Sequence, residues 1–115
     1  MAEPPGAGLD PARLRALAEH LGQTPEAVAR TLRDELLAAR ARIDSGLAAE
    51  DPAAVGDGAH AARNSALMVG TKPLLAELRG LQTAADEGEL EGARGARGRV
   101  DAGLAHLIEA LGELS

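Results

Sequence analysis

Aromatic side chains are missing altogether: the chain has no Phe, Trp or Tyr. Its core must therefore be Leu, Val, Ile and Ala, and side chains this small hold elements together only where backbones approach closely. Cysteine is absent too, which excludes a disulfide, a thiolate nucleophile and a cysteine-based zinc site. No apolar run approaches the ~18 residues of a membrane span, and the opening MAEPPGAGLD lacks the basic segment and apolar stretch of a secretory signal. A cytoplasmic location is expected. Positive charge is scarce, with 12 basic residues against 18 acidic and a net charge of -6. That balance argues against nucleic acid or an anionic membrane as the main partner. Arg94, Arg97 and Arg99 form the only basic cluster, and Glu89, Glu91 and Asp101 beside it mark it as a solvated face. Period-two alternation of β-branched or aromatic residues is also lacking, so no strand is expected.

What remains is helical punctuation. At 115 residues the chain is one domain with one core, burying somewhat over ~60% of its unfolded surface. Residues 1–9 are rich in Pro and Gly and should form a flexible tail, leaving 10–115 as the folded unit. Asp10-Pro11, Thr24-Pro25 and Asp51-Pro52 each pair an N-cap residue with proline at the first helical position. The first helix should reach about His20 and end at Gly22. The second runs uninterrupted from Thr24-Pro25 to Gly46, with Val28, Leu32, Leu36, Ala39, Ile43 and Leu47 on one face. Gly70-Thr71 marks a turn, with Gly70 suited to a left-handed C-cap and Thr71 to an N-cap. A fourth helix carries Leu74, Leu78, Leu81 and Ala85 and closes at Asp86-Glu87-Gly88. A fifth, from about Glu89 to Glu113, carries Leu90, Ala93, Val100, Leu104, Leu107, Ile108, Leu111 and Leu114. Gly92, Gly95 and Gly98 each cost ~1 kcal/mol inside a helix, so its first half frays unless packing holds it. One short helix and four longer ones joined by short connections predict an all-α fold, an antiparallel four-helix bundle with a short extra N-terminal helix.

The helix opened by Asp51-Pro52 holds the chemistry. With His60 at zero and ~100° per residue, Val55, Gly58, Ala62, Ala66 and Val69 fall between about 160° and 240°. That is the buried face, and its residues are small. Gly56, Arg63, Asn64 and Leu67 fall within about 60° of His60 on the same helical projection, with Asp57 at the edge. The histidine should point outward, and an exposed neutral imidazole is a nucleophile near neutral pH. His20 and His106 share no ligand-like spacing with it, so no metal site is expected. His20 belongs at a helix end, and His106 beside the last apolar stripe, packed or half-exposed.

The run His60-Ala61-Ala62-Arg63-Asn64-Ser65, followed by Val69-Gly70 and Leu74, resembles the signature H-x-L-K-G-S-x-x-x-L-G of histidine phosphotransfer domains. The resemblance implies a bundle whose middle helix presents the phosphoacceptor, covering the chain from Asp10 onward. His60 then carries the phosphoryl group, Arg63 stands where lysine is usual, and Gly70 matches directly. Asn64 replaces the usual glycine; it either donates to a phosphoryl oxygen or crowds a docking partner. Ala62 replaces leucine in an interior of small residues. The implied function is a phosphoryl carrier of a two-component phosphorelay, passing phosphate between His60 and aspartates of response-regulator receiver domains, with a hybrid or sensor histidine kinase upstream. Leu67, Gly56, Ala53 and Asp57 would form the docking surface.

Phosphoryl transfer depends on positioning and charge stabilisation, so a carrier can be minimal. No G-x-x-x-x-G-K-[ST] loop is present, and neither kinase activity of its own nor a cofactor is expected. The initiator methionine and short tail point to a free-standing carrier, expected as a monomer. Two other classes fit the same residues: a non-phosphorylated bundle adaptor that binds receivers, or a dimer paired through the stripe of the last helix.

Overall fold

Three of the helices begin where a short polar side chain precedes proline. The computed structural model describes residues 9–115. Asp10 accepts from the amides of Ala12 and Arg13, and helix α1 (Pro11–Leu21) follows. Thr24 caps Ala27 at the start of α2 (Pro25–Ala48), and Asp51 caps Ala54 at the start of α3 (Pro52–Val69). Helix α4 covers Lys72–Asp86 and α5 covers Leu90–Leu114. The described residues are all-helical apart from caps and short connections, and no strand occurs among them. None of these helices is long and apolar enough to cross a membrane.

Helices adjacent in sequence are adjacent in space: α2 packs on α3, α3 on α4 and α4 on α5, while α5 returns to α2. Helix α1 lies against α2 and α3. The smallest dimension is 19 Å, about two helix layers at ~8–10 Å between axes. A single core of Leu, Val, Ile and Ala links all five helices. Residues 1–8 of the expected tail lie outside the described residues, and Leu9 is half-buried against the core.

Several local expectations need correction. Helix α2 does not stop at Gly46 but runs two residues further. Gly46 is a contact point: a Cβ there would lie 2.9 Å from both Cγ2 and the amide nitrogen of Val55. The chain turns instead at Glu50, in the left-handed region at φ 55°, with the Asp51 amide closing back on the Gly46 carbonyl at 2.8 Å. Gly70 is not a left-handed cap either, having φ -86° and ψ 173°. Glycine is required there because a Cβ would come within 2.6 Å of the Ala66 carbonyl oxygen. Thr71 occupies the N-cap position of α4 without a capping bond, and its hydroxyl is buried without a partner.

The glycine-rich half of α5 is helical, and packing on α4 and α2 together with side-chain bonds to α2 holds it. Ala93, Ala96 and Val100 are buried, and Arg97 reaches Asp44 of α2 through two bonds of 2.7 and 3.3 Å. Arg97 also bonds Asp101 at 3.0 Å, and Arg94 donates to the Leu47 carbonyl at 3.1 Å. The Asp44 hydrogen bond raises the Arg97 pKa above its ordinary value, against the opposing effect of burial. Arg97 thus departs from the expected solvated cluster: its side chain is only 15% exposed. The stripe of α5 is spent inside the chain, with Val100, Leu104, Leu107 and Leu111 buried, which removes it as a surface for pairing two copies.

The tightest approach is between α2 and α3. A Cβ on Gly58 would sit 2.8 Å from Ile43 Cγ1 and 3.0 Å from the Ala39 carbonyl oxygen. Gly58→Ala should therefore lower stability by about 1–2 kcal/mol, overpacking of ~1–3 kcal/mol outweighing a helix-propensity gain of ~1 kcal/mol. The denaturant midpoint should fall at unchanged m-value. Arg97→Ala should speed amide exchange at Gly92, Gly95 and Gly98 by roughly tenfold while leaving α3 protected, the loss expected for a charge-assisted bond.

Candidate functional site

Helix α3 has two unlike faces. Val55, Gly58, Ala59, Ala62, Ala66 and Val69 are buried, all of them small, and they bring the helix backbone down against α2 and α4. The opposite face carries His60, which is exposed as its angular position predicts. A helix anchored by so many small residues is a rigid mount, because little side-chain freedom separates its backbone from its neighbours.

Two polar side chains meet the imidazole, and a third is bonded to one of them. Asn64, one turn along α3, places Nδ2 3.2 Å from His60 Nε2. Gln82, reaching over from α4, places Nε2 3.3 Å from His60 Nδ1. Arg63 donates from Nη1 to Gln82 Oε1 at 3.2 Å. Both ring nitrogens and the nearby guanidinium are thus tied into one network spanning two helices. Such a group places an imidazole at the surface with a positive charge in the same network.

Sequence reasoning missed Gln82. It follows the buried Leu81 by one position, at the edge of the α4 stripe, where a long polar side chain reaches across to the adjacent helix. Its place beside the stripe was the available signal, but the pairing of α4 with α3 had to be known first. Ser65 was read only as part of the motif. It is buried and donates to Glu35 Oε2 of α2 at 2.9 Å, fixing the rotation of α3 from the side opposite Gln82.

Of the expected docking residues, Ala53 and Asp57 are exposed, and Asp57 pairs with Arg42 of α2 at 3.1 Å. Leu67 is 51% exposed. Gly56 departs from expectation: it is buried, with Asp86 and Ala85 of α4 lying over it, so it cannot provide an open approach to the ring. Met68 at 45% and Leu21 at 50% exposure extend the apolar surface from Leu67 into a groove lined by Leu17, Leu21, Val28, Leu32 and Met68. His20 and His106 are exposed on other helices, His106 lying outside the packed stripe. Among the described residues no group of three or more His, Asp and Glu side chains is placed to hold a metal ion.

The end of α3 is held from α1. Arg13 donates to the Leu67 carbonyl at 2.6 Å and to the Gly70 carbonyl at 3.2 Å, and the Asp10 amide donates to the Val69 carbonyl at 2.8 Å. Helix C-termini leave carbonyls unpaired and favour a cation, so Arg13 fixes the turn that presents Leu67 and Met68. No protein-family model, no curated protein and no solved structure matches the chain. Arg13→Ala should fray this turn, raising amide exchange at Met68, Val69 and Gly70 by about fivefold, the equivalent of ~1 kcal/mol for a partly exposed charged hydrogen bond.

Proposed function

We propose that the chain is a histidine phosphotransfer domain that carries a phosphoryl group on His60. The observation that supports this most is the pairing of an exposed imidazole with a guanidinium-led network on a helix whose other face is packed tight. Helices α2 to α5 are read as an antiparallel four-helix bundle and α1 as an addition that caps α3. The order of elements and the return of α5 onto α2 support that reading. The resemblance of His60, Arg63, Ser65 and Gly70 to the phosphotransfer signature points the same way.

On this reading the donor is the aspartyl phosphate of a response-regulator receiver domain, and the acceptor is the aspartate of another. A hybrid or sensor histidine kinase charges the relay in the cytoplasm. The receiver contributes its own aspartate and whatever metal the reaction needs. His60 contributes the nucleophile, while Arg63 offsets charge on the phosphoryl oxygens, an effect that grows in a partly dehydrated complex. Leu67 and Met68, about two turns along α3 from His60, form the seat for a receiver helix, with Asn64 between them and the ring along α3 and the Asp57–Arg42 pair on the N-terminal side of His60. Ala53 lies at the other end of the same face, toward the start of α3.

Incubation with a phosphorylated receiver, or with a hybrid kinase and ATP, should give label that is acid-labile and alkali-stable and that disappears in His60→Gln. Absence of label with several cognate receivers would sink the reading and leave a receiver-binding adaptor in its place. Leu67→Asp should slow transfer at least about tenfold with an unchanged circular dichroism spectrum, since a charge at the centre of an apolar contact commonly costs ~2 kcal/mol or more.

A further inference from the structure

The contacts around His60 contain a hydrogen-bonding conflict that only one placement of protons resolves. A neutral imidazole has one N–H and one nitrogen lone pair. Two amide nitrogens nonetheless face its two ring nitrogens, Gln82 Nε2 at Nδ1 and Asn64 Nδ2 at Nε2. Two donors cannot both be accepted, so one amide has to turn and present its oxygen. Gln82 is not free to turn: its Oε1 accepts from Arg63, and a guanidinium donates and never accepts. Reversing Gln82 would set its NH2 against the Arg63 N–H groups. The Asn64 amide makes no other hydrogen bond among the described residues, and it turns without loss.

We infer that Arg63 and Gln82 form a tautomer lock on His60. At rest the ring proton sits on Nε2 and is donated to Asn64 Oδ1, while the Nδ1 lone pair accepts from Gln82. Nε2 is the outer edge of the ring, whereas Nδ1 adjoins the carbon that bears the side chain and faces Gln82 of α4. The accessible nitrogen therefore has no free electron pair in the resting protein. The site is held in the form that cannot attack.

The consequence for transfer rests on the carrier reading given above. The anionic oxygens of an incoming phosphoryl group compete for Arg63, because a guanidinium is attracted more strongly to an anionic oxygen than to the neutral amide oxygen of Gln82. Once Arg63 shifts, Gln82 turns and accepts through Oε1 from Nδ1–H. The ring proton passes from Nε2 to water and returns from water to Nδ1, leaving the imidazole neutral. The Nε2 lone pair then attacks phosphorus and an N–P bond forms. The P–O bond to the donor aspartate breaks, and its electron pair leaves on the carboxylate. The ring keeps its Nδ1 proton and its positive charge, balanced by the attached phosphoryl oxygens. Gln82 is a positioning residue in this scheme, and Arg63 couples the arrival of the phosphoryl group to the availability of the nucleophile. Asn64 holds the proton that has to leave, which gives the polar residue at this position a function.

Long-range proton–nitrogen correlation spectra of the unphosphorylated protein read the tautomer directly, without any transfer. The unsubstituted protein should show His60 protonated on Nε2. Gln82→Glu should move the proton to Nδ1, because a carboxylate accepts from Arg63 and from the ring alike. Arg63→Ala should give a mixture, and Arg63→Lys, still donor-only, should restore the Nε2–H form. With phosphoramidate as the phosphodonor, Gln82→Glu should label about three- to tenfold faster, the range set by one modest hydrogen bond. A ring protonated on Nδ1 in the unsubstituted protein, or an unchanged ring in Gln82→Glu, overturns the lock. A Gln82→Glu protein whose ring has switched but which labels no faster overturns its kinetic role. A His60 that shows the expected tautomers yet never takes label, from phosphoramidate or from a receiver, would remove the carrier reading and leave the lock standing.

Discussion

The close seating of α3 on α2 is the constraint from which the rest follows. Without large rings the core gains little per side chain, and it compensates by bringing backbones together at Gly46 and Gly58. Space at these two crossings is full to within a methyl group. Once α3 is fixed in that slot, its rotation is fixed as well, and Ser65 bonding to Glu35 removes the remaining freedom. The outward direction of His60 is therefore set from the far side of its helix. Glycine here acts through its missing side chain, since both positions are helical and conformationally ordinary.

Two of the polar networks that link helices differ in kind. One is the Arg97 crosslink, which ties the glycine-rich start of α5 to Asp44 and Asp101. It sits where helix propensity is poorest, so a charged pair with two parallel bonds takes over from intrinsic preference. The other is the Arg63–Gln82–His60 chain, which is weak by comparison and open to water. The contrast suits their positions: a crosslink that maintains structure benefits from being strong, and a network that has to rearrange benefits from being modest. Arg13 at the end of α3 lies between the two, bonding main-chain oxygens only.

Much of this was legible in the amino-acid order because caps and stripes are local signals. Asp10, Thr24 and Asp51 before proline marked three helix starts, and the three-and-four spacing of Val28, Leu32 and Leu36, or Leu74, Leu78 and Leu81, marked the buried faces. The outward angle of His60 followed from one helix considered alone. What one helix cannot reveal is its neighbour. Gly56 has an exposed-looking angle, but the end of α4 passes over it. Gln82 at the edge of its stripe and Asp44 on α2 gain their importance from facing Arg63 and Arg97 across a gap, which one helix alone does not show. Gly46 and Gly70 were read as punctuation because glycine usually is, whereas here each makes room for an atom of the main chain or of a packed valine.

The side chains around His60 are drawn from α3 and α4 alone, two consecutive helices joined by a two-residue connection. His60 and Gln82 are separated by only 22 positions, so the loop closed when they meet is short and its entropy cost is small. Most other helix contacts are also between sequence neighbours, with α2 meeting α5 and α1 meeting α3 as the longer-range exceptions. Chains with this pattern of local contacts fold on fast timescales. The contacts to His60 thus need one short loop to close, and none of them depends on bringing the two chain ends together.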